Sequence, residues 1–224
     1  MLVFRSEPNT AAKETGAKVC LGGELWKRKR VGFRRERVTG ALSALPGSPF
    51  ASGGGPFAAV LDSKSKFLYV VDVGLLSVYR VNPGGGLSEI VGSPYAIGIN
   101  ANGVAFHPSG NLLYVANTNG GVGNIWRYAV DPNTGAIQTS SATPFAAGSE
   151  PTWLAMDRSK HFVYASDIAA NQVLGYSLDL TTGALTPVPG SPFPTGVLPN
   201  SITADPGGGF IYVPCQGGRC RLCI

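Results

Sequence analysis

The stretch GALTPVPGSPFPTGVLPNSITADPGGGFIYV, residues Gly183 to Val213, decides the fold of this chain. It opens on a Gly-Ala-Leu turn, passes through the turn residues Gly-Ser-Pro-Phe, and ends in the apolar segment Phe-Ile-Tyr-Val. Apolar segments bounded by clusters of Gly, Pro, Asn, Asp and Ser predict short β-strands joined by tight turns. We interpret the stretch as the outer strand of one β-blade, a crossing loop, and the first two strands of the next blade.

Three markers from this stretch recur upstream in the same order. A strand-centre pair of the Tyr-Val type occurs at Tyr69-Val70, Tyr114-Val115, Tyr164-Ala165 and Tyr212-Val213. Gly-Ala-Leu or a close variant begins at Gly40, Gly86, Gly135 and Gly183. Gly-Ser-Pro-aromatic begins at Gly47, Gly92 and Gly190, with a weaker form at Ala142. A period of about 45–50 residues that contains four strands is typical of β-propeller blades.

The fold class predicted from these repeats is all-β, a β-propeller of four-stranded antiparallel blades. In the period that starts at Pro151, alternation and turn residues predict strands at Thr152–Asp157, His161–Asp167, Gln172–Asp179 and Ala184–Val188. The same frame gives an outer strand at Ala41–Leu45, three complete blades, and two strands of a fourth from Pro199 to Val213. Seven blades of this period would need roughly 330 residues. We therefore predict that this chain forms only part of a ring. The chain could be a gene fragment, it could form an open arc, or two chains could complete one ring. We favour the fragment.

Charge divides the sequence into two parts. Residues 1–37 contain ten of the 18 Lys and Arg residues, and the rest of the chain is nearly neutral. We expect 1–37 to be a basic segment that is disordered or weakly helical, and 38–224 to be the partial propeller. The run Lys27–Arg37 is the only part suited to weak nucleic-acid binding or a nuclear address, and otherwise nucleic acid is not an expected partner.

No membrane association is expected from the sequence. No apolar run approaches the ~18 residues of a membrane span. The start of the chain has no apolar core of the roughly 7–15 residues that a signal peptide requires. These observations do not assign the protein to a cellular compartment.

The strings TGALTPVPGSPFPTG, PNSITADPGGGFIYV and GVAFHPSGNLLYVANT resemble the bacterial lactonase-like seven-bladed propellers. This group includes 6-phosphogluconolactonase-like enzymes and overlaps the YVTN repeat proteins. The resemblance covers residues 38–213 and implies a partial copy of that propeller. It does not imply one activity, because the group also holds many exported propellers of unknown role and a shared fold does not carry a shared function.

In the enzyme-like members, the resemblance implies a Pro-Arg-His motif where an inner strand begins, and a Glu after Tyr-Val-x-Asn. The corresponding positions here hold Phe57-Ala58, Asn102-Gly103, Thr152-Trp153 and Asn200-Ser201, and Thr118 follows Asn117. We therefore favour a binding or interaction module without catalysis and without a cofactor. Its partner would be a small-molecule lactone or sugar derivative, or a protein. The alternatives are a lactone hydrolase, a carboxylic-ester hydrolase whose catalytic blades lie outside this chain, and an inactive gene fragment.

Two sets of polar residues predict where a ligand would bind. Near one rim of a propeller, second strands end and inner strands begin, close to the channel mouth. The residues at these positions are Asp72, Asn102, Asn117, Thr152, Asp167 and Asn200. The competing interpretation is that the second-strand residues cap the loops that follow them. A ring of such carboxylates could hold Ca²⁺, but no contiguous calcium loop is present and no metal is expected.

The remaining reactive residues fit structural roles. His107 stands where the other repeats have Asp62, Asp157 and Asp205, each just before a turn, so it is expected to bond turn amides. His161 is expected to be exposed. A zinc site needs four ligands, and the C-x4-C-x2-C cluster offers three. We interpret the cluster as the product of a broken reading frame or a truncated end, with a metal or disulfide role as the alternative. The four cysteines are Cys20, Cys215, Cys220 and Cys223.

Overall fold

The computed structural model describes the backbone of residues 17–18, 29–30, 32–51 and 55–217, and the side chains of 32–50 and 55–216. Within these ranges all regular structure is β-strand, and they contain no helix long and apolar enough to cross a membrane. Part of the basic run 27–37, together with Cys20, Cys220 and Cys223, lies outside the described residues.

The described chain begins with the outer half of a blade, here called the N-terminal half-blade. Its third strand, β3, pairs with its fourth, β4, in the register Phe33↔Ala44, and a short continuation of the third strand, β2, pairs with β5. The two-residue β1 lies on the other side of β3. The predicted outer strand is confirmed, and the strand before it lies within the residues assigned above to the basic segment. The bounds are β1 Ala17–Lys18, β2 Lys29–Arg30, β3 Phe33–Arg35, β4 Leu42–Ala44 and β5 Phe50–Ala51.

Three complete antiparallel blades follow, as predicted. In each, consecutive strands are hydrogen-bonded neighbours, and in the first and third a two-residue strand folds back onto the third strand. The first blade has β6 Ala58–Leu61, β7 Phe67–Asp72, β8 Leu75–Val81, β9 Leu87–Glu89 and β10 Tyr95–Ala96. The second has β11 Val104–Phe106, β12 Leu112–Asn119, β13 Val122–Val130 and β14 Ile137–Ala146. The third has β15 Pro151–Met156, β16 Phe162–Asp167, β17 Gln172–Leu178, β18 Leu185–Pro187 and β19 Phe193–Pro194.

The described chain closes with the inner half of a further blade, the C-terminal half-blade. Its first strand is formed by β20 and β21, and its second strand by β22 and β23, which pair as one irregular antiparallel hairpin. This agrees with the predicted two strands of a fourth blade. The bounds are β20 Val197–Pro199, β21 Thr203–Ala204, β22 Ile211–Tyr212 and β23 Cys215–Gly217.

Apolar side chains of the second strands form the core between blades. Tyr69 and Val71 of the first blade pack with Leu113 and Val115 of the second. In the same way Tyr114 of the second blade packs with side chains of the third. Each sheet has apolar residues on both faces, so radial stacking is what removes them from water, at about 25 cal/mol per Å² of apolar surface.

A tyrosine hydroxyl links each complete pair of neighbouring blades. Tyr69 Oη donates to the carbonyl of Gly135 at 2.8 Å, and Tyr114 Oη donates to that of Gly183 at 2.8 Å. Burial raises the pKa of both tyrosines, so the hydroxyls stay protonated donors. We call this contact the tyrosine latch. It gives the Tyr-Val and Gly-Ala-Leu markers a joint role that their spacing alone did not reveal.

The glycine of the latch has a backbone conformation and surroundings that a side chain would strain. Gly183 has φ +70°, a region that L side chains rarely adopt. A Cβ there would contact the Leu112 side chain and lie 3.0 Å from Tyr114 Oη. The close approach of the two blades at this turn therefore depends on the absence of a side chain at position 183.

The serine of the Gly-Ser-Pro marker accepts a hydrogen bond from the third strand at the outer edge of the first and third blades. The Oγ of Ser191 accepts a hydrogen bond from the Gly175 amide at 3.0 Å, and Ser93 does the same for Val78 at 2.9 Å. The second blade differs, since β14 runs unbroken through the weaker marker at Ala142 and Thr143 accepts instead from the Arg127 guanidinium. The serine thus supplies an acceptor where the short fourth strand has ended.

Candidate functional site

Each blade brings the start of its inner strand next to the end of its second strand. The backbone N–H of Asn102 donates to the Ala116 carbonyl at 3.0 Å, and the backbone N–H of Asn200 donates to the Pro214 carbonyl at 3.1 Å. In the third blade the hydroxyl of Thr152 lies 3.1 Å from that of Ser166. The predicted residues are therefore neighbours within each blade, at one blade edge that we call the rim. Their role in ligand binding stays a prediction.

Asp167 at the rim is occupied by hydrogen bonds from its own blade. It is fully buried, and its carboxylate accepts from the amides of Ser149 at 2.9 Å and Glu150 at 3.0 Å. It also accepts from the Ala170 amide and from Gln172 Nε2. Four donors fix both the loop that enters the blade and the turn that leaves β16. The contacts are those of a loop cap.

Asn117 and Asp72 occupy the same position and also bond to protein groups. Asn117 Nδ2 donates to the Ile97 carbonyl at 2.9 Å, and its Oδ1 accepts from Trp126 Nε1 at 3.1 Å. Buried Asp72 accepts from the Ser77 hydroxyl at 2.8 Å. All three second-strand residues thus hold local structure, which was the competing interpretation of their sequence positions.

Two of the three inner-strand residues of the rim are less engaged in hydrogen bonds, whereas Thr152 is buried beside Ser166. Asn102 is half-buried, and its Nδ2 makes an exposed hydrogen bond to the Asn100 carbonyl at 3.2 Å. Asn200 is exposed. Next to Asn102, Gly103 lets the inner strands approach, because a Cβ there would lie 2.9 Å from the Leu154 amide nitrogen. The side-chain amides of Asn102 and Asn200 are therefore the predicted rim groups most able to form hydrogen bonds with an external ligand.

Thr118 occupies the position where the resemblance implies a Glu. Its side chain is 6% exposed, and its hydroxyl has no hydrogen-bond partner in the described part of the chain. A hydroxyl in that setting is a poor general base at neutral pH. Nothing at this position supplies the carboxylate of the enzyme-like members.

His107 caps a turn, as its repeat position predicted. Its Nδ1 accepts from the backbone amide of Ser109 at 3.1 Å, in the way that Asp62 accepts from that of Lys64 at 3.3 Å and Asp157 from that of Ser159 at 2.8 Å. Burial lowers the pKa of His107, and neighbouring Asp179 partly opposes this shift. His161 is exposed, as expected.

No metal centre is apparent where the chain is described, since residues 32–50 and 55–216 contain no group of three or more His, Cys, Asp or Glu placed to hold an ion. Half-buried Cys215 has its Sγ 3.7 Å from the Val213 carbonyl. The cluster to which it belongs lies mostly outside the described residues, so the interpretation of that cluster stays a prediction.

An aromatic groove that the sequence did not predict lies between the third blade and the C-terminal half-blade. Its volume is about 370 Å³. Phe162, Tyr164 and Phe193 line one side and Phe210 the other. Among described residues, Tyr164 Oη has no partner equivalent to those of Tyr69 and Tyr114. These residues follow the same alternation as their buried counterparts, so sequence alone did not mark them as exposed.

Stacked four-stranded antiparallel blades joined by outer-to-inner crossings define a β-propeller. Residues 117–215 match the family described as Lactonase, 7-bladed beta-propeller, which confirms the resemblance stated for the sequence. No curated protein matches the chain by sequence. The family match therefore identifies the type of repeat over residues 117–215, and solved structures show the propeller fold over most of the chain.

Three solved structures show the same fold. A proposed 6-phosphogluconolactonase of Bacteroides fragilis has TM-score 0.65 and 19% identity, covering 79% of this chain and 51% of that one. The periplasmic gluconolactonase of Pseudomonas aeruginosa has TM-score 0.59 and 21% identity, covering 75% and 50%. A proposed 6-phosphogluconolactonase of Bacteroides uniformis has TM-score 0.70 and 17% identity, covering 86% and 58%. The matches thus involve about half the length of these structures.

Proposed function

We propose that this lactonase-like propeller chain is a binding module that holds a small lactone or sugar derivative at its rim. The observation that carries the proposal is the neutral character of the inner-strand positions, with Asn102, Thr152 and Asn200 where the resemblance implies Arg-His. Amide and hydroxyl groups both donate and accept hydrogen bonds. They therefore suit the hydroxyls and ring carbonyl of an uncharged sugar lactone.

The carboxylates of the rim support binding over hydrolysis. A general base must reach the proton it removes at about 2.6–3.2 Å, directly or through one water. Asp167 is buried and already accepts from four donors, and Asp72 is buried with its carboxylate bonded to Ser77. Freeing either group would cost the local loop structure, so neither is poised to activate water.

Lactone hydrolysis is the second candidate. The family match and the gluconolactonase of Pseudomonas aeruginosa favour it. Only about half of that structure corresponds to this chain. An enzyme of this type would use catalytic groups from blades that the present sequence does not include, with the Asn102 and Asn200 positions contributing to substrate orientation.

The proposal is tested by titrating the 224-residue chain with glucono-1,5-lactone and with gluconate, measured by calorimetry at pH 6.5. We expect the lactone to bind, and Asn102→Ala combined with Asn200→Ala to weaken it at least tenfold. Asn133→Ala is the matched control, because Asn133 is an exposed asparagine in an outer turn. Lactone binding that survives the double substitution, or no binding at millimolar concentration, would contradict the proposal.

The hydrolase candidate has its own readout. Acid release from the lactone in a pH-stat separates turnover from binding. A rate above the buffer rate that requires Asn102 and Asn200 would favour hydrolysis over simple binding. A rate equal to that of buffer, with binding intact, supports the module.

A further inference from the structure

The two half-blades are complementary parts of one blade. The N-terminal half-blade supplies a third and a fourth strand, and the C-terminal half-blade a first and a second. The turn of the former has the geometry of a complete blade. Gly40 donates to the Glu36 carbonyl at 3.0 Å, as Gly183 donates to that of Asp179 at 2.7 Å.

The same two ends carry the separated halves of a tyrosine latch. Tyr164 holds the donor position at the groove, and its hydroxyl has no acceptor among the described residues. Gly40 holds the acceptor position, with φ +75° and no atom within 4 Å of where a Cβ would be. Gly183 has the same conformation but a crowded Cβ site, because its tyrosine and Leu112 are in place.

The aromatic groove has the position that a third strand and its turn would cover. Phe162 and Tyr164 correspond in the repeat to Leu112 and Tyr114, against which the turn at Gly183 packs. In this chain Phe162 is 38% exposed and borders the groove. An outer half-blade with a glycine turn would therefore fit the aromatic groove, and the N-terminal half-blade is such an element.

We propose that a second copy of this chain completes the blade. Strands β3 and β4 of one copy would join β22 of the other, and Tyr164 of each copy would donate to the Gly40 carbonyl of the other. By the register Tyr164↔Gly175 within the third blade, Tyr212 would pair with Gly32. A twofold axis makes both junctions at once. Two copies then form a closed ring of about eight blades, within the range of known propellers.

One contact in the single chain must yield for this assembly. The two-residue strand Ala17–Lys18 lies beside β3, where β22 of the second copy would pair. A two-residue pairing offers few hydrogen bonds, and the incoming hairpin replaces them with its own strand pairing and buries the aromatic groove. The exchange resembles domain swapping, in which an element of one copy fills its place in another.

The assembly is tested by measuring the mass of the full chain by light scattering over 1–100 µM. We expect about twice the chain mass of 23.2 kDa. Gly40→Asn should raise the dimer dissociation constant at least tenfold, since its side chain would meet Phe162 and Tyr164 of the second copy. Asn tolerates positive φ, and the site is open in the single chain, so the melting temperature of the monomer should not fall.

Two matched substitutions complete the test. Gly120→Asn is the control for Gly40, because Gly120 also has positive φ and no atom within 4 Å of a Cβ. Phe162→Lys should also dissociate the dimer, whereas Val122→Lys, at an exposed valine away from the groove, should not. A 23 kDa species at every concentration, or a dimer that Gly40→Asn and Phe162→Lys leave intact, would overturn the proposal. The assay involves no ligand, so its outcome is separate from that of the binding proposal.

Discussion

Two interfaces between neighbouring blades differ in how much aromatic surface they bury. One lies between the second and third blades, and the other lies between the third blade and the C-terminal half-blade. In the first, Tyr114 is fully buried and latched to Gly183. In the second, Tyr164 is half-buried and borders a groove of about 370 Å³. A blade covers its neighbour with its third strand and outer turn, so an inner half-blade alone leaves aromatic surface uncovered.

The largest expected effect comes from comparing the two turn glycines. Gly183→Ala should lower the free energy of unfolding by about 3 kcal/mol, since it adds positive-φ strain and overpacks the Leu112 and Tyr114 contacts. In the Phe162→Lys background, where the chain is expected to be monomeric, Gly40→Ala meets only the strain and should cost about 1 kcal/mol. Urea unfolding followed by tryptophan fluorescence measures both. Equal losses at the two positions would contradict a crowded latch.

Removing the latch hydroxyls should give the next largest effect. Tyr114→Phe leaves the buried Gly183 carbonyl without its donor and should cost about 1.5 kcal/mol. Tyr164→Phe, measured in the Gly40→Asn background that keeps the chain monomeric, removes a hydroxyl that has no equivalent acceptor among the described residues of one chain, so the stability of the monomer should change by less than about 0.5 kcal/mol. Thermal unfolding at low micromolar concentration compares them, with Tyr69→Phe expected to match Tyr114→Phe.

Deleting the outer serine acceptor should have a smaller effect. Ser191→Ala leaves the amide of Gly175 without its acceptor at a partly buried site, at an expected cost of about 1 kcal/mol. Ser159→Ala removes a hydroxyl at an exposed turn and serves as the control. Amide hydrogen exchange reports the change directly, because faster exchange should be confined to the middle of β17. Uniformly faster exchange across the three blades would argue against a local role.

The smallest expected effect concerns pH and the second blade. The lowered pKa of His107 means that the unfolded chain binds a proton more readily than the folded chain. The stability contributed by neutral His107 is present above the ordinary His pKa near 6.5 and falls as pH is lowered through it. The melting temperature should therefore fall between pH 7.5 and 5.5, and His107→Asn should reduce that slope. A slope unchanged by the substitution would show that other groups carry it.

The sequence was sufficient for the architecture. Strand positions in the third blade agree with prediction to within about two residues, because alternation and turn residues carry that information locally. The turn role of His107 could also be predicted, since Asp residues fill the same position in the other repeats. The family resemblance rested on the same markers and was confirmed over residues 117–215.

Longer-range contacts could not be predicted from the pattern. The latch joins Tyr114 to a glycine 69 positions away, and no local signal indicates which carbonyl a tyrosine will reach. The third strand before Leu42 was obscured because Arg35 stands where the three complete blades have Val81, Val130 and Leu178. At the rim, the sequence placed Asp167 correctly but could not show that four donors already surround it. The site therefore remains less determined than the fold.

The serine acceptors and short fourth strands also bear on aggregation. An exposed strand edge with free amides and carbonyls is a template for another chain, and short edges and prolines reduce that risk. Here β18 has three residues and ends on Pro187, and its neighbouring amide at Gly175 is already bonded to Ser191. In the second blade Pro144 interrupts the donors of the ten-residue β14. The outer circumference thus discourages unregulated strand addition, which leaves the half-blades as the strand edges open to the proposed association of two copies.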